Sequence, residues 1–139
     1  MMIIILDTSF LFALRSTRDR YHERAYEIFN EIEEKKPKFF TNYFIMNETL
    51  TLAVNRSNGN LSFLEQFISL FFEKDNFFQI IQNNPGDYKK IVAVYKKYIE
   101  AKRLLSFADA SLIYLYQQLN ANCIISFDSH FDTILNRKF

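Results

Sequence analysis

The apolar residues of this chain fall into two kinds of run. Four short, nearly uninterrupted runs, "MIIIL" (2–6), "KFFTN" (38–42), "FFQII" (77–81) and "NCIIS" (122–126), read as strands. The β-branched run 2–6 has the look of a strand covered on both faces, as in a parallel sheet. Between these runs the apolar positions recur at helical spacing. A short helix is expected over Ser9–Leu14, with Asp7-Thr8-Ser9 supplying cap chemistry. In 19–36, Tyr21, Ala25, Ile28, Phe29 and Ile32 share one face, with Glu and Lys on the other, and Pro37 ends the pattern. Further helices are expected over Tyr43–Asn55 (capped by Asn42 or Thr41), Leu61–Lys74, Asp87–Lys102 and Phe107–Leu119, with a last short one over His130–Leu135. "SNGN" (57–60) and "NNPGD" (83–87) mark loops. Strands alternating with helices predict an α/β layered domain with a mainly parallel sheet. No linker or repeat divides the chain, so residues 1–139 are expected to form one domain.

Composition narrows the class. Apolar residues make up 49% and Gly plus Pro only four positions, which favours a packed core over disorder. With 16 Phe, 8 Tyr and no Trp, single aromatic rings must supply much of the packing volume. On the 61–74 helix, Phe63, Leu64, Phe67, Ile68, Phe71 and Phe72 exceed one narrow stripe; either the core uses all of them or some form a dimer face. The single Cys123 excludes an internal disulfide, and no Cys/His spacing suits zinc. "MMIIILD" lacks signal-peptide features and is too short an apolar run to span a bilayer, so a cytoplasmic, non-membrane protein is expected. A net charge of +1 permits a nucleic-acid partner only through a local basic patch.

The charge pattern carries the chemistry. Asp7 is the only charge from Met1 to Leu14, Glu48 the only one from Phe39 to Asn55, and Asp109 the only one from Leu104 to Phe127. Asp128 follows the last strand directly. Each has an ordinary reading: Asp7 and Asp128 as helix caps, Ser106 with Asp109 as a capping box, Glu48 on a polar stripe with Asn47, Thr51 and Asn55. Glu48, however, lies mid-helix among Ile45, Met46, Leu50, Leu52, Ala53 and Val54, where a lone ionised carboxylate costs several kcal/mol unless a cation offsets it. Asp7 and Asp128 close strands at the carboxyl edge, where parallel sheets gather their functional groups. Asp109 aligns with Leu112, Ile113 and Tyr116 on a core-facing stripe. Converging carboxylates without basic neighbours call for a hard divalent ion, Mg²⁺ or Mn²⁺, and such sites serve phosphate chemistry.

The segments "IILDTSFLFAL", "NYFIMNETLTL" and "LLSFADASLIYLYQQLNANCIISFDSHFD" closely resemble the motifs of PIN-domain ribonucleases, especially VapC-like toxins of toxin–antitoxin pairs, in order and over nearly the whole chain. The resemblance implies a three-layer α/β/α domain with a sheet of four or five mostly parallel strands, the last abbreviated or missing because the chain stops at "NRKF". It implies metal-dependent endonucleolytic cleavage of RNA, with Asp7, Glu48, Asp109 and Asp128 as metal-binding catalytic acids. Ser126 matches a hydroxyl that orients the site, and Thr8 one that caps the helix or holds a metal-bound water. It also implies an antitoxin partner and a homodimer. Arg15, Arg18, Arg20, Lys102, Arg103 and His130 are the candidate phosphate contacts. The alternatives are a non-catalytic PIN-like RNA- or protein-binding module and a housekeeping RNA-processing nuclease. A dehalogenase-type phosphatase would need D-x-D where "DTS" stands, and a receiver domain an aspartate after "FFQII"; the chain has neither.

Overall fold

The computed structural model describes residues 1–139. Its sheet has five strands, β1 (Ile3–Leu6), β2 (Lys38–Asn42), β3 (Phe78–Ile81), β4 (Cys123–Ile125) and β5 (Arg137–Lys138), all parallel and ordered β3-β2-β1-β4-β5. Six helices connect them: α1 (Thr8–Arg15), α2 (His22–Glu33), α3 (Tyr43–Arg56), α4 (Leu61–Phe72), α5 (Pro85–Tyr98) and α6 (Phe107–Gln118). The connections β1→β2→β3 move one way across the sheet, and β3→β4 returns past β1. Right-handed crossovers therefore put α1–α4 on one face and α5–α6 on the other, giving three layers. The direction reverses between β1 and β4, which is where an open α/β sheet opens a crevice at its carboxyl edge. Asp7 ends β1 at that point, and Ser126–Asp128 leave β4 beside it.

The core is apolar and aromatic, as the composition required. Ile4, Ile5 and Leu6 of β1 and Ile124 and Ile125 of β4 are fully buried, with Phe10, Phe67 and Phe131 packed over them. Phe12 stacks on Phe67 with ring centroids 5.1 Å apart. Cys123 is buried, and burial raises its thiol pKa, in keeping with an inert packing role.

Element boundaries depart from the periodicity where turn chemistry intervenes. Helix α2 starts at His22 instead of residue 19, because the Asp19 carboxylate accepts the Tyr21 N–H and holds a turn (2.8 Å). It ends at Glu33, ahead of Pro37, with Lys36 in the left-handed region at φ 49°. Helix α5 begins earlier than expected, at Pro85, because Asn84 and Asp87 form a capping box around a proline in the first turn. It stops at Tyr98, short of Lys102, where Glu100 and Arg103 pair across a tight turn. The expected last helix over His130–Leu135 is only a 3-10 turn, Ser129–Phe131. The abbreviated edge strand is present as two residues, β5. Arg137 locks it in place, with a bidentate ion pair to Asp132 (2.6 and 3.0 Å) and a bond to the Ser126 carbonyl (3.1 Å).

Candidate active site

Asp7 occupies the N-cap position of α1, yet its carboxylate makes no cap bond. Its Oδ2 instead accepts from Ser126 Oγ (2.6 Å) and from Ser9 Oγ (3.2 Å). The two serines are knitted into the β4 exit: Phe127 N–H donates to Ser9 Oγ (2.9 Å) and Asp128 N–H to Ser126 Oγ (3.0 Å). The cap reading of Asp7 therefore yields to a tertiary one, in which two neutral hydroxyls aim a carboxylate that is 4% exposed. Its pKa is pushed up to about 7, chiefly by burial; the Asp109 and Glu48 charges add to this, and the Ser126 and Thr8 hydrogen bonds oppose it.

Glu48 stands mid-way along α3 and reaches back to α1, where Thr8 Oγ1 donates to its Oε1 (2.8 Å). It does not join a solvated stripe. Thr8 thus serves as the positioning hydroxyl of the second acid, steadied by the buried Thr49 (3.5 Å). Burial raises the Glu48 pKa, and Asp109 and Asp128 raise it further, against the Thr8 bond.

Asp109 does form the expected capping box: Ser106 N–H donates to its Oδ2 and Asp109 N–H to Ser106 Oγ, both at 3.0 Å. The cap and the site readings hold together, since Asp109 is also 6% exposed and faces the other acids. Burial raises its pKa, Asp128 adds to the rise, and the Ser106 and His130 bonds oppose it. Asp128 likewise caps the 3-10 turn through His130 N–H (2.9 Å) while turning Oδ2 toward the crevice. The His130 ring lies between two acids, with Nδ1 3.4 Å from Asp109 Oδ2 and 3.2 Å from Asp128 Oδ2.

All four predicted acids therefore come together from four separate elements, near enough to perturb one another. No lysine or arginine pairs with any of them; the ion pairs of the molecule lie elsewhere, on Arg24, Arg137 and Lys138. Asp109, Asp128 and His130 each bring a donor atom within 4.8 Å of the other two. Carboxylate oxygens gathered from four elements, three of them with pKa values raised by burial and by neighbouring acids, and with only hydroxyls, backbone N–H groups and that imidazole as partners, fit a hard divalent cation.

The other predicted residues scatter. Arg15 and Arg18 line a cleft at the far end of α1. Arg20 lies over the Tyr21 ring, 4.7 Å from its centroid. Arg103 ties the α5–α6 connection to the Asp132 carbonyl (3.1 Å) and Thr133 Oγ1 (2.6 Å), and Lys102 is exposed in the turn before it. Sequence reading treated Ser9 only as cap chemistry and missed it as the second hydroxyl on Asp7; its one signal is the polar triplet "DTS" closing an apolar strand. The buried pair of Asn42 Nδ2 and Ser111 Oγ (2.9 Å), which ties the start of α3 to α6, was also missed.

The PIN-domain family model matches residues 4–134. The fold resembles that of VapC20 from Mycobacterium tuberculosis, described as a sarcin–ricin-loop-cleaving toxin, with a TM-score of 0.73, 21% identity and 92% of each chain covered. It also resembles VapBC2 from Rickettsia felis, solved bound to a DNA fragment from its promoter (TM-score 0.71, 13% identity, 99% of this chain and 98% of that one). A third likeness is PAE2754 from Pyrobaculum aerophilum (TM-score 0.59, 14% identity, 96% and 84% covered). At these identities the three likenesses speak to the fold alone. No curated protein sequence matches the chain.

Proposed function

The chain belongs to the PIN-domain family, and from that premise we propose that it is a metal-dependent endoribonuclease, the toxin of a toxin–antitoxin pair. One observation carries the reading: Asp7, Glu48, Asp109 and Asp128 converge at the β1/β4 crevice with no basic side chain of the protein to neutralise them, beyond the imidazole of His130. These four acids would hold Mg²⁺ or Mn²⁺. When bound, such an ion polarises the scissile phosphoryl oxygen, acidifies a water and steadies the leaving oxygen. The chain's own contribution is orientation. Ser9 and Ser126 fix one oxygen of Asp7, Thr8 fixes one oxygen of Glu48, and Ser106 fixes Asp109. One of the carboxylates accepts the proton of the attacking water. His130, whose Nδ1 faces Asp109 and Asp128, is the further side chain at the crevice rim that would meet the substrate.

The same reading makes RNA the substrate, a cytoplasmic antitoxin the regulator and a second copy of this chain the partner. No helix is long and apolar enough to cross a membrane. Leu61, Ile68 and Phe72 of α4 remain exposed, apolar surface that the core leaves over.

The deciding experiment incubates purified protein with end-labelled RNA, with Mg²⁺ or Mn²⁺ and then with EDTA. Cleavage is expected only with metal. Asp7→Asn and Asp109→Asn should each lower the rate on the order of 10³-fold, the scale on which a preorganised charge counts. Cleavage that persists in EDTA, or at the unmodified rate in Asp7→Asn, refutes the assignment. Metal-independent RNA binding without cleavage would select the non-catalytic module instead.

A further inference from the structure

A polar cleft of about 640 Å³ lies away from the acids. It lies where the C-terminal ends of α1 and α3 meet the N-terminal end of α4, and Arg15, Ser16, Arg18, Arg56, Asn60 and Gln66 are among its walls. Its three guanidinium groups take part in no ion pair and no hydrogen bond, whereas Arg24, Arg103 and Arg137 are all tied to acceptors. Asp19 is the one acid in the lining, and its carboxylate is engaged by the Tyr21 N–H. The cleft therefore carries an excess of two positive charges, three arginines against one aspartate.

The lining is shaped beyond its charge. Ser16 is 6% exposed as a residue, and no buried side-chain polar atom of the protein lacks a partner, so its hydroxyl, which bonds to no protein group, opens onto the cleft. There it is free to donate to a ligand. Arg56 is braced over the Phe12 ring, 5.9 Å from its centroid, which holds its charge in place. At the same wall α4 begins: Asn60 Oδ1 accepts the Phe63 N–H (2.9 Å), while the N–H groups of Leu61 and Ser62 have no intrahelical acceptor.

Unpaired guanidinium forks, a free hydroxyl and open backbone N–H groups together recognise a phosphate. From Thr8, which holds Glu48 at the acids, α1 climbs seven residues to Arg15, about 10 Å at the helical rise. That is too far to touch the phosphate being cut and close enough to meet the same strand. Resting on the ribonuclease reading, we propose that this cleft is a second phosphate site, which grips the RNA backbone a few nucleotides from the scissile bond. Arg15, Arg18 and Arg56 neutralise the phosphate, Ser16 donates to it, and the fixed distance from the acids sets where along the strand the cut falls.

The test measures binding in EDTA, where no cleavage occurs, by anisotropy of a graded-length series of labelled single-stranded RNAs. Arg56→Gln and Arg18→Gln should each weaken binding of the longer RNAs about 10-fold and make the salt slope shallower by about one. The shortest RNAs, which reach only the acid crevice, should bind as they do to the unmodified protein. Arg56→Lys, which keeps the charge, should restore most of the loss, and melting curves confirm that each variant is folded. Unchanged binding of long RNA overturns the proposal, and so does a loss that is equal at every length. Weakened binding of a glutamate-rich peptide with RNA binding intact also overturns it and assigns the cleft to an acidic protein segment. If the unmodified protein fails to cleave RNA with Mg²⁺, the ribonuclease reading falls by itself. The length dependence is read without catalysis and remains a separate result.

Discussion

Helices α1 and α3 run side by side in the same direction, and their two ends are opposites. At one end Thr8 of α1 meets Glu48 of α3 beside Asp7; further along, Phe12 of α1 meets Arg56 of α3. The first end holds acids restrained by hydroxyls, backbone N–H groups and one imidazole, with no lysine or arginine among them. The second holds arginines without acceptors. Helix dipoles favour this polarity, with anions toward the N-terminal end and cations toward the C-terminal end, but within about a turn and by under roughly 1 kcal/mol at exposed sites. That is too little to balance buried carboxylates. On the proposed function, the two ends suit ligands of opposite sign: a small cation at one, a polyanion at the other. A net charge of +1 conceals the separation entirely.

The acid end should give the largest response. Asp7 has an ordinary pKa of 3.8 and a folded value of about 7, so it penalises the folded state whenever it must ionise. Below about pH 4 the carboxyl is protonated folded or unfolded, and the penalty is absent. Between there and pH 7 the unfolded carboxyl loses its proton while the folded one keeps it, so stability falls as pH rises; above pH 7 the penalty is complete. Asp7→Asn, besides losing cleavage, should therefore gain stability in EDTA. The gain should be near zero at low pH and on the order of 4 kcal/mol at most above pH 7, from 1.36 kcal/mol per pH unit between 3.8 and about 7. Urea melts across pH measure it. Mg²⁺ should narrow the gap by stabilising the unmodified protein more than the variant. A gain that does not change with pH would show that Asp7 is not strained by its charge.

A smaller effect is expected from the hydroxyls. Ser126 both donates to Asp7 and accepts the Asp128 N–H, so Ser126→Ala releases two acids at once. Its cleavage rate should fall roughly 10–100-fold, the usual cost of losing a group that orients metal-binding side chains. The Mg²⁺ concentration for half-maximal rate should rise, and Ser126→Thr should recover most of both. A merely structural serine would lower the melting temperature and leave the metal dependence unmoved.

The acid end was legible in the sequence and the arginine end was not, for a physical reason. A carboxylate that must sit in a core excludes other charge from its own strand or helix, so Asp7, Glu48 and Asp109 each stand alone in long apolar stretches. A cation on a surface cleft leaves no such trace. Arg56 follows "TLAVN" as a plain helix-ending arginine, and only tertiary packing sets it beside Arg15, 41 positions earlier. The four short strand runs were legible because each is mostly apolar, most clearly in β1 and β4, where burial on both faces writes continuous apolar sequence. The two-residue β5 was not, since it is held by the Arg137 bonds to Asp132 and the Ser126 carbonyl and not by an apolar pattern. Asp7 shows how a local rule fails: its position is that of a cap, but a buried serine across the sheet competes for the same oxygen and wins.

The finest test asks whether the two ends act independently. In EDTA, Asp7→Asn removes a negative charge from the crevice and should tighten RNA binding about 2-fold at every length, by relieving repulsion of the phosphates. Arg56→Gln should weaken binding of the long RNAs alone. The altered groups stand on different elements and share no hydrogen-bond partner, so the double variant should equal the sum of the singles within ~0.5 kcal/mol. Additivity at that level means that one strand spans two separate contacts. A coupling above ~1 kcal/mol would mean that the arginines act by holding Glu48 and Thr8 in place through α1 and α3, and the cleft would then be a support of the acid site and no longer a contact of its own.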